Sequence, residues 1–245
     1  MPVDKLRASL RKRSGGPDLV AAGLRQQIVD GSIAPGERLP DERSLAASLG
    51  VARVTVRTAL TLLQTEGLLE RTQGRGTTVR RFLESGGPSL CTALLNSAQG
   101  RAELEALTAE FLAVRRHLAG AVLERIPLPF GPAQAAPLRK ALSVLKRAID
   151  ERAELEVVVA ADLLVAQALI AASGSPILQL MFNPISSTLR EQARLSEALY
   201  QRPAENLRAW DAMLKWCQGR SRDTSGILDA MRLRDETTLK RMRSI

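Results

Sequence analysis

The sequence predicts a mainly α-helical chain in two parts: a winged helix-turn-helix of three helices and a two-stranded wing, joined to an all-α bundle of about six to seven helices. Three observations carry this. Hydrophobic residues make up 45% of the 245 residues but aromatics only 3%, so the core is built of Leu, Ala, Val and Ile, a composition that favours helices over an aromatic-rich sandwich. Within 39–78, a helix, a tight turn, a second helix with a basic exposed side and a glycine-punctuated hairpin follow one another. Beyond residue 96 the apolar residues recur at helical spacing, with several breaks marked by Pro and Gly and no alternating strand pattern. The length suits a small domain plus a medium one. The boundaries read as 1–17, a basic arm; 18–81, the winged helix-turn-helix; 82–96, a linker with a short helix; and 97–245, a helical domain for effector binding and dimerisation.

In chain order, Gly15-Gly16-Pro17 ends the arm. Residues 18–31 place Leu19, Val20, Leu24, Ile28 and Val29 on one side of a first helix, with Asp18 as its expected N-cap and Gly31 as its stop. Asp41 is expected to cap the second helix, which buries Leu45, Ala46 and Leu49 and ends at Gly50. In the third helix Val56, Ala59, Leu60 and Leu63 recur at i, i+3, i+4 and i+7. Gly67 closes it. Two short strands, 69–72 and 77–81, flank Gln73-Gly74-Arg75-Gly76, whose glycines allow the turn backbone to approach another surface closely. The stretch 82–89 has the Gly and Pro of a linker, and a short helix falls near 89–96. Long helices are expected at 101–125, 137–153, 155–172, 176–201, 204–219 and 222–243. Breaks are legible at the Pro127–Pro132 loop, Ser173–Pro176, Pro203 and Gly219.

Charge is distributed unevenly. The first 81 residues hold 14 Lys and Arg against 8 Asp and Glu, a large share of the formal net +9 in one third of the chain. A basic excess on the helix-turn-helix is what phosphate binding requires. Cys91 and Cys217 form no disulfide framework and have no metal-ligand spacing, which suits a reducing cytoplasm. No run reads as apolar enough to span a membrane, and the basic start lacks the apolar core of a secretory signal, so no membrane partner is expected.

A duplex major groove admits one helix, and the helix after the turn is the one presented. Arg53, Thr55 and Arg57 supply outward donors near its N-terminus: arginine forks onto guanine or phosphate, and threonine meets a phosphate oxygen or a thymine methyl. Arg43, early in the preceding helix, is placed for the DNA backbone. Gln73, Gly74 and Arg75 at the wing tip are placed for the adjacent minor groove. One short recognition helix reads few base pairs, so a homodimer on a palindromic operator is expected.

Pro35-Gly36, Leu39-Pro40, Glu42-Arg43, Leu45-Ala46, Leu49-Gly50-Val51, Arg53, Thr55-Val56-Arg57, Ala59-Leu60, Leu63, Gly67-Leu68, Gly74, Gly76-Thr77 and Val79 together resemble the N-terminal signature of the GntR family of bacterial transcription regulators. The resemblance covers nearly all of 18–80. It implies Arg43, Arg53, Thr55 and Arg57 as DNA contacts, with Gly74 at the wing. One departure has a physical cost: the family usually has Ser or Thr where this chain has Ala52, so the recognition helix loses a side-chain cap and a phosphate contact. Val54, often polar in the family, offers apolar contact to a thymine methyl instead.

Many members of that family hold a metal in the bundle through one Asp and three His. With His117 the single histidine, that set does not exist in this chain, and neither metal nor cofactor is expected. Asp162 stands where the family's Asp would, and Ala166 where its first His would. The stretches 82–95, 112–118 and 172–183 resemble the FadR-like branch, which implies acyl-coenzyme A or a fatty-acid derivative as the first-choice effector of a ligand-responsive repressor. In that branch ligand binding releases DNA, here by shifting the winged domains through 82–89. The candidate ligand contacts are Arg115, Asp162, Asn183, Arg190, Arg194 and Trp210, a set able to clamp an acidic metabolite. Trp216 is a further candidate wall. One histidine and no reactive-cysteine constellation argue against an enzyme. The alternative is a dimeric DNA-binding protein whose bundle senses nothing and only dimerises.

Overall fold

Pro17, at the first helical position, starts α1 (Pro17–Val29) in the computed structural model, which describes residues 16–74 and 76–244. Gly16, not Asp18, is the N-cap; Asp18 sits one position inside, in the first turn, where its charge meets the positive end of the helix dipole. The basic arm lies outside the described residues except for Gly16 and Pro17. Asp41 caps α2 (Glu42–Leu49) by accepting from the Arg43 and Ser44 amides, and Gly50 ends it in the left-handed conformation at φ 71°. The axis of α3 (Arg53–Thr65) then departs from that of α2 by 112°, within the range of helix-turn-helix pairs.

β1 (Leu69–Thr72) and β2 (Gly76–Val79) pair antiparallel, Leu69 opposite Val79 and Thr72 opposite Gly76. The second strand runs 76–79, not 77–81, although the Arg80 amide still reaches the Leu68 carbonyl at the next step of the same register. On its other side β2 pairs with 37–39 through the Val79 amide to the Glu37 carbonyl and the Leu39 amide to the Thr77 carbonyl, which anchors the wing. Val20, Leu24, Ile28, Leu45, Leu49, Val56, Leu60, Leu63, Leu68, Leu69 and Val79 form one buried cluster. Each of these large side chains contributes about 1.5–3 kcal/mol on burial. Arg25 of α1 reaches Glu66 beyond the end of α3 through two hydrogen bonds, 2.7 and 2.5 Å, and ties the first helix to the third.

The stretch 82–96 is more than a tether. α4 (Phe82–Ser85), a 3₁₀ turn (Pro88–Leu90) and α5 (Cys91–Ser97) lie within the N-terminal unit, which ends at Gln99. α5 packs on α1, and Leu90 and Ala93 join the same core. Gly67 makes the approach of α4 possible: its φ is 79°, and a Cβ there would lie 2.0 Å from the Ser85 carbonyl oxygen. The glycine and proline at 86–88 sit in turns between short helices, a composition that reads identically to a linker.

The C-terminal unit begins at Gly100. It contains α6 (Arg101–Arg125), α7 (Pro132–Asp150), α8 (Leu155–Ala172), α9 (Pro176–Glu191), α10 (Ala193–Leu199), α11 (Pro203–Gln218) and α12 (Ser225–Met242). Two boundaries differ from the sequence reading. α7 starts at Pro132 and takes Pro137 into its second turn. The single helix expected over 176–201 is two, broken at Gln192, whose ψ of 87° is non-helical. α8 corrects the expectation that no run is apolar enough for a membrane: its 18 residues reach a mean hydropathy of 2.0. It packs on α7, α9, α10 and α11 and carries Asp162 among its buried residues, so its apolarity serves the core of the bundle. α6 and α12 run antiparallel, with Arg115 against Asp235 and Gly120 against Leu228.

Candidate DNA interface and ligand cavity

α3 turns Val56, Ala59, Leu60 and Leu63 inward, so Arg53, Val54 and Arg57 fall on its outer side and are exposed, with Thr55 half-buried at the edge. Arg43 is exposed on α2, and Gln73 and Gly74 are exposed at the wing tip, Gly74 with φ 77°. Arg75 lies outside the described residues. The side chain of Glu42, only 11% exposed, draws three cations of this surface together. It accepts from Arg53 Nε at 3.2 Å and from Arg57 Nε and Nη2 at 3.1 and 3.0 Å, and Arg71 Nη1 of β1 lies 3.5 Å away. The Arg57 guanidinium, with Arg53 assisting, holds the Glu42 carboxyl below the usual carboxylate range against the opposing effect of burial. The sequence reading missed Glu42 and Arg71; the signal available was an acidic residue eleven and fifteen positions before two exposed arginines.

Two results are expected here. Glu42→Gln frees these arginines from a carboxylate that competes with phosphate. Affinity for random duplex rises, and the log–log salt slope steepens by roughly 0.9 for each phosphate gained, while discrimination in favour of operator falls. Fluorescence anisotropy on operator and scrambled duplexes between low and moderate salt checks both. Ala52 is the N-cap of α3 and gives it no side-chain hydrogen bond. Ala52→Ser restores the cap, so the protein gains about 1 kcal/mol against denaturant.

In the C-terminal unit a cavity of about 530 Å³ opens between α6, α8, α9, α11 and α12. Its walls are Leu118, Val122, Leu163, Leu169, Phe182, Ile185, Met213, Ile227 and Met231, with the rings of Trp210 and Trp216. Four charged residues line it: Arg115, Asp162 and Arg234 on the helices, and Asp223 on the loop before α12. Asp162 accepts from Tyr200 Oη at 2.8 Å on one oxygen and from Trp210 Nε1 at 2.7 Å on the other. Burial, and secondarily the Asp162 charge, push the Tyr200 hydroxyl well above its ordinary pKa, so it stays a donor. Behind the cavity, buried Asp235 accepts from Arg115 Nη2 at 2.6 Å and Arg116 Nη1 at 2.5 Å. Arg115 Nε and Arg234 Nη2 are buried with no hydrogen-bond partner.

Of the six expected ligand contacts, Arg115, Asp162 and Trp210 line this cavity. Asn183, Arg190 and Arg194 do not: all three are exposed, on α9 and α10, whose buried sides are Phe182, Ile185, Leu189 and Leu195. Arg234 and Tyr200 were missed, although Ile227, Met231, Arg234 and Thr238 recur at i, i+4, i+7 and i+11 along α12. His117 is exposed and meets its own helix's Ala113 carbonyl at 2.7 Å. Among the described residues no three His, Cys, Asp or Glu side chains come together.

A winged helix-turn-helix with an outward cationic helix, followed by a helical unit enclosing an apolar cavity, is the architecture of a DNA-binding transcription regulator, not of an enzyme. The model of the gntR family of bacterial regulatory proteins matches residues 18–79, and that of the FCD domain matches 110–233. The chain belongs to the GntR family and carries an FCD domain, as the FadR-like resemblance implied. It is 43% identical over 83 residues to the HTH-type transcriptional regulator Mce2R of Mycobacterium tuberculosis (strain CDC 1551 / Oshkosh), covering 34% of this chain and 35% of that one. It is 46% identical over 61 residues to the mannosyl-D-glycerate transport/metabolism system repressor MngR of Escherichia coli (strain K12), a quarter of each chain. The matches thus span about a third or less of those relatives. A solved structure of Lar, described as controlling expression of the Listeria monocytogenes agr system, superposes with a TM-score of 0.57 at 14% identity, over 92% of this chain and 94% of that one.

Proposed function

We propose that this protein is a bacterial, cytoplasmic, homodimeric repressor. The winged helix-turn-helix reads a palindromic operator through Arg43, Arg53, Thr55, Arg57 and the wing tip, and the helical domain lowers operator affinity when a small acidic metabolite enters its cavity. The observation that carries the sensing half is the cavity itself: apolar walls with a few convergent charged groups are the general form of a metabolite site. Ligand dependence then requires only that the metabolite bind one conformation of the dimer better than the other. MngR is named a repressor and gives that sign its precedent. Ile177, Leu180 and Met181, exposed side by side on α9, are apolar surface available to a second copy.

Light scattering of the full chain, with operator anisotropy in the presence and absence of acidic metabolites, tests this reading. It expects a dimer and weaker operator binding with at least one acid. A dimer that binds operator identically with every acid, even one shown to occupy the cavity, would leave a bundle that only dimerises.

A further inference from the structure

The carboxylate that would join a metal ion in this family's bundles is engaged elsewhere in this chain. Asp162 faces two N–H and O–H donors, one on each oxygen, and a cation bound there would have to displace Tyr200 and Trp210. One helical turn on, position 166 is an alanine that cannot ligate, Arg115 and Arg234 would repel a metal ion, and Asp223, the other carboxylate of the lining, is exposed on the loop before α12. The residues present do not fit a metal. They supply another source of positive charge.

Around the inner end of the cavity stand three guanidiniums, Arg115, Arg116 and Arg234, and two carboxylates, Asp162 and Asp235. Arg115 and Arg116 share Asp235. Asp162 acts on Arg234 through its charge, but no ion pair joins them. One positive charge is left over, with Arg234 Nη2 and Arg115 Nε buried and unpartnered. Because α6 and α12 are antiparallel, Arg115 and Arg234 lie at the same level of the bundle. Gly226 and Ile227 line the cavity eight and seven residues earlier on α12, roughly 12 Å away along the axis at 1.5 Å per residue. Ser221 and Asp223, both exposed, line it on the preceding loop, where the cavity meets solvent. Between floor and mouth the lining is apolar and aromatic.

We propose that the cavity takes a lipophilic monocarboxylate without a metal ion, its carboxylate seated on Arg234 and Arg115 and its apolar body directed toward the Ser221–Ile227 mouth. This rests on the sensing role proposed above and narrows its ligand. A coenzyme A thioester fits poorly, since its several phosphate charges find no net positive charge in a lining of Arg115 and Arg234 against Asp162 and Asp223. In this proposal a free carboxylate takes the place of the acyl-coenzyme A that the FadR-like resemblance implied. A guanidinium with a buried free N–H gives a carboxylate a charge-assisted hydrogen bond in a dry site, and a neutral ester of equal shape cannot replace it.

Titration calorimetry on the full-length protein, stripped of bound small molecules and run with and without a chelator, tests this with decanoate, methyl decanoate and decanoyl-coenzyme A. Decanoate is expected to bind equally well with and without chelator, and the ester and the thioester at least tenfold more weakly. Arg234→Met should weaken decanoate at least tenfold, and Arg234→Lys less. The exposed-surface control Arg139→Met should leave it unchanged, with far-ultraviolet dichroism showing that each variant is folded. Binding that needs added divalent metal, equal binding of ester and acid, undiminished binding by Arg234→Met, or no binding of decanoate overturns the proposal. Operator anisotropy separates it from the regulatory reading. Decanoate that binds in this way without altering operator affinity sinks the decanoate response and leaves the site assignment. An operator response to decanoyl-coenzyme A alone does the reverse.

Discussion

Replacing Arg53 and Arg57 together by alanine is expected to abolish specific operator binding while leaving the fold intact. Both side chains are more than half exposed, and neither packs in the core, so the loss falls on the interface. A well-placed arginine–guanine pair carries roughly 10- to 100-fold of discrimination against the wrong base, so losing two brings specific binding down toward the sequence-independent level. Each single variant is expected to lose roughly 10- to 100-fold, and Arg57→Ala more than Arg53→Ala. The asymmetry has a structural origin. Glu42 meets Arg57 through two of its nitrogens but Arg53 through one, so Arg57 is the more fixed in orientation before DNA arrives. Anisotropy titrations with the three variants, each checked for unchanged thermal unfolding, read this directly.

The second large effect is on stability. Asp235, with its side chain 5% exposed, holds Arg115 and Arg116 from α12 and so clamps the first and last helices of the C-terminal unit. Asp235→Ala leaves two guanidiniums with no acceptor in a largely dry setting. Removing one partner of a buried ion pair costs about 3–5 kcal/mol. The partial exposure of the arginines, 15% and 22%, places this case at the lower end of that range. Asp235→Asn, which keeps an acceptor oxygen and loses the charge, should cost less than the alanine variant. Chemical denaturation followed by far-ultraviolet dichroism gives both numbers.

The winged unit was legible because each of its decisions is local. Asp41 caps, Gly50 turns, Gly67 reverses, and the i, i+3, i+4, i+7 stripe of α3 alone fixes which arginines face outward. Several helix boundaries of the second unit were readable for the same reason, since Pro or Gly stands at the breaks near 127–132, 174–176, 203 and 219, whereas the break at Gln192 has neither. Pro137 misled because proline is tolerated near a helix start, and that start lay five residues earlier than expected. The cavity was only half legible. Arg115 was among the expected contacts, but which arginines turn inward on α9 to α12 depends on bundle packing. Asn183, Arg190 and Arg194 share a helical region with core residues and fall on its solvent side. Arg234 looked like one of many surface cations until α6 came to lie antiparallel to α12. Glu42 was hidden likewise, because its partners lie on the next helix and on the wing.

Nuclease protection across the DNA upstream of the protein's own gene tests the central claim, that α3 of a dimer reads a palindrome through Arg53 and Arg57. The account predicts one short protected segment with two-fold sequence symmetry, lost when Arg53 and Arg57 are both alanine. Protection that lacks two-fold symmetry, or that the double variant retains, would contradict it.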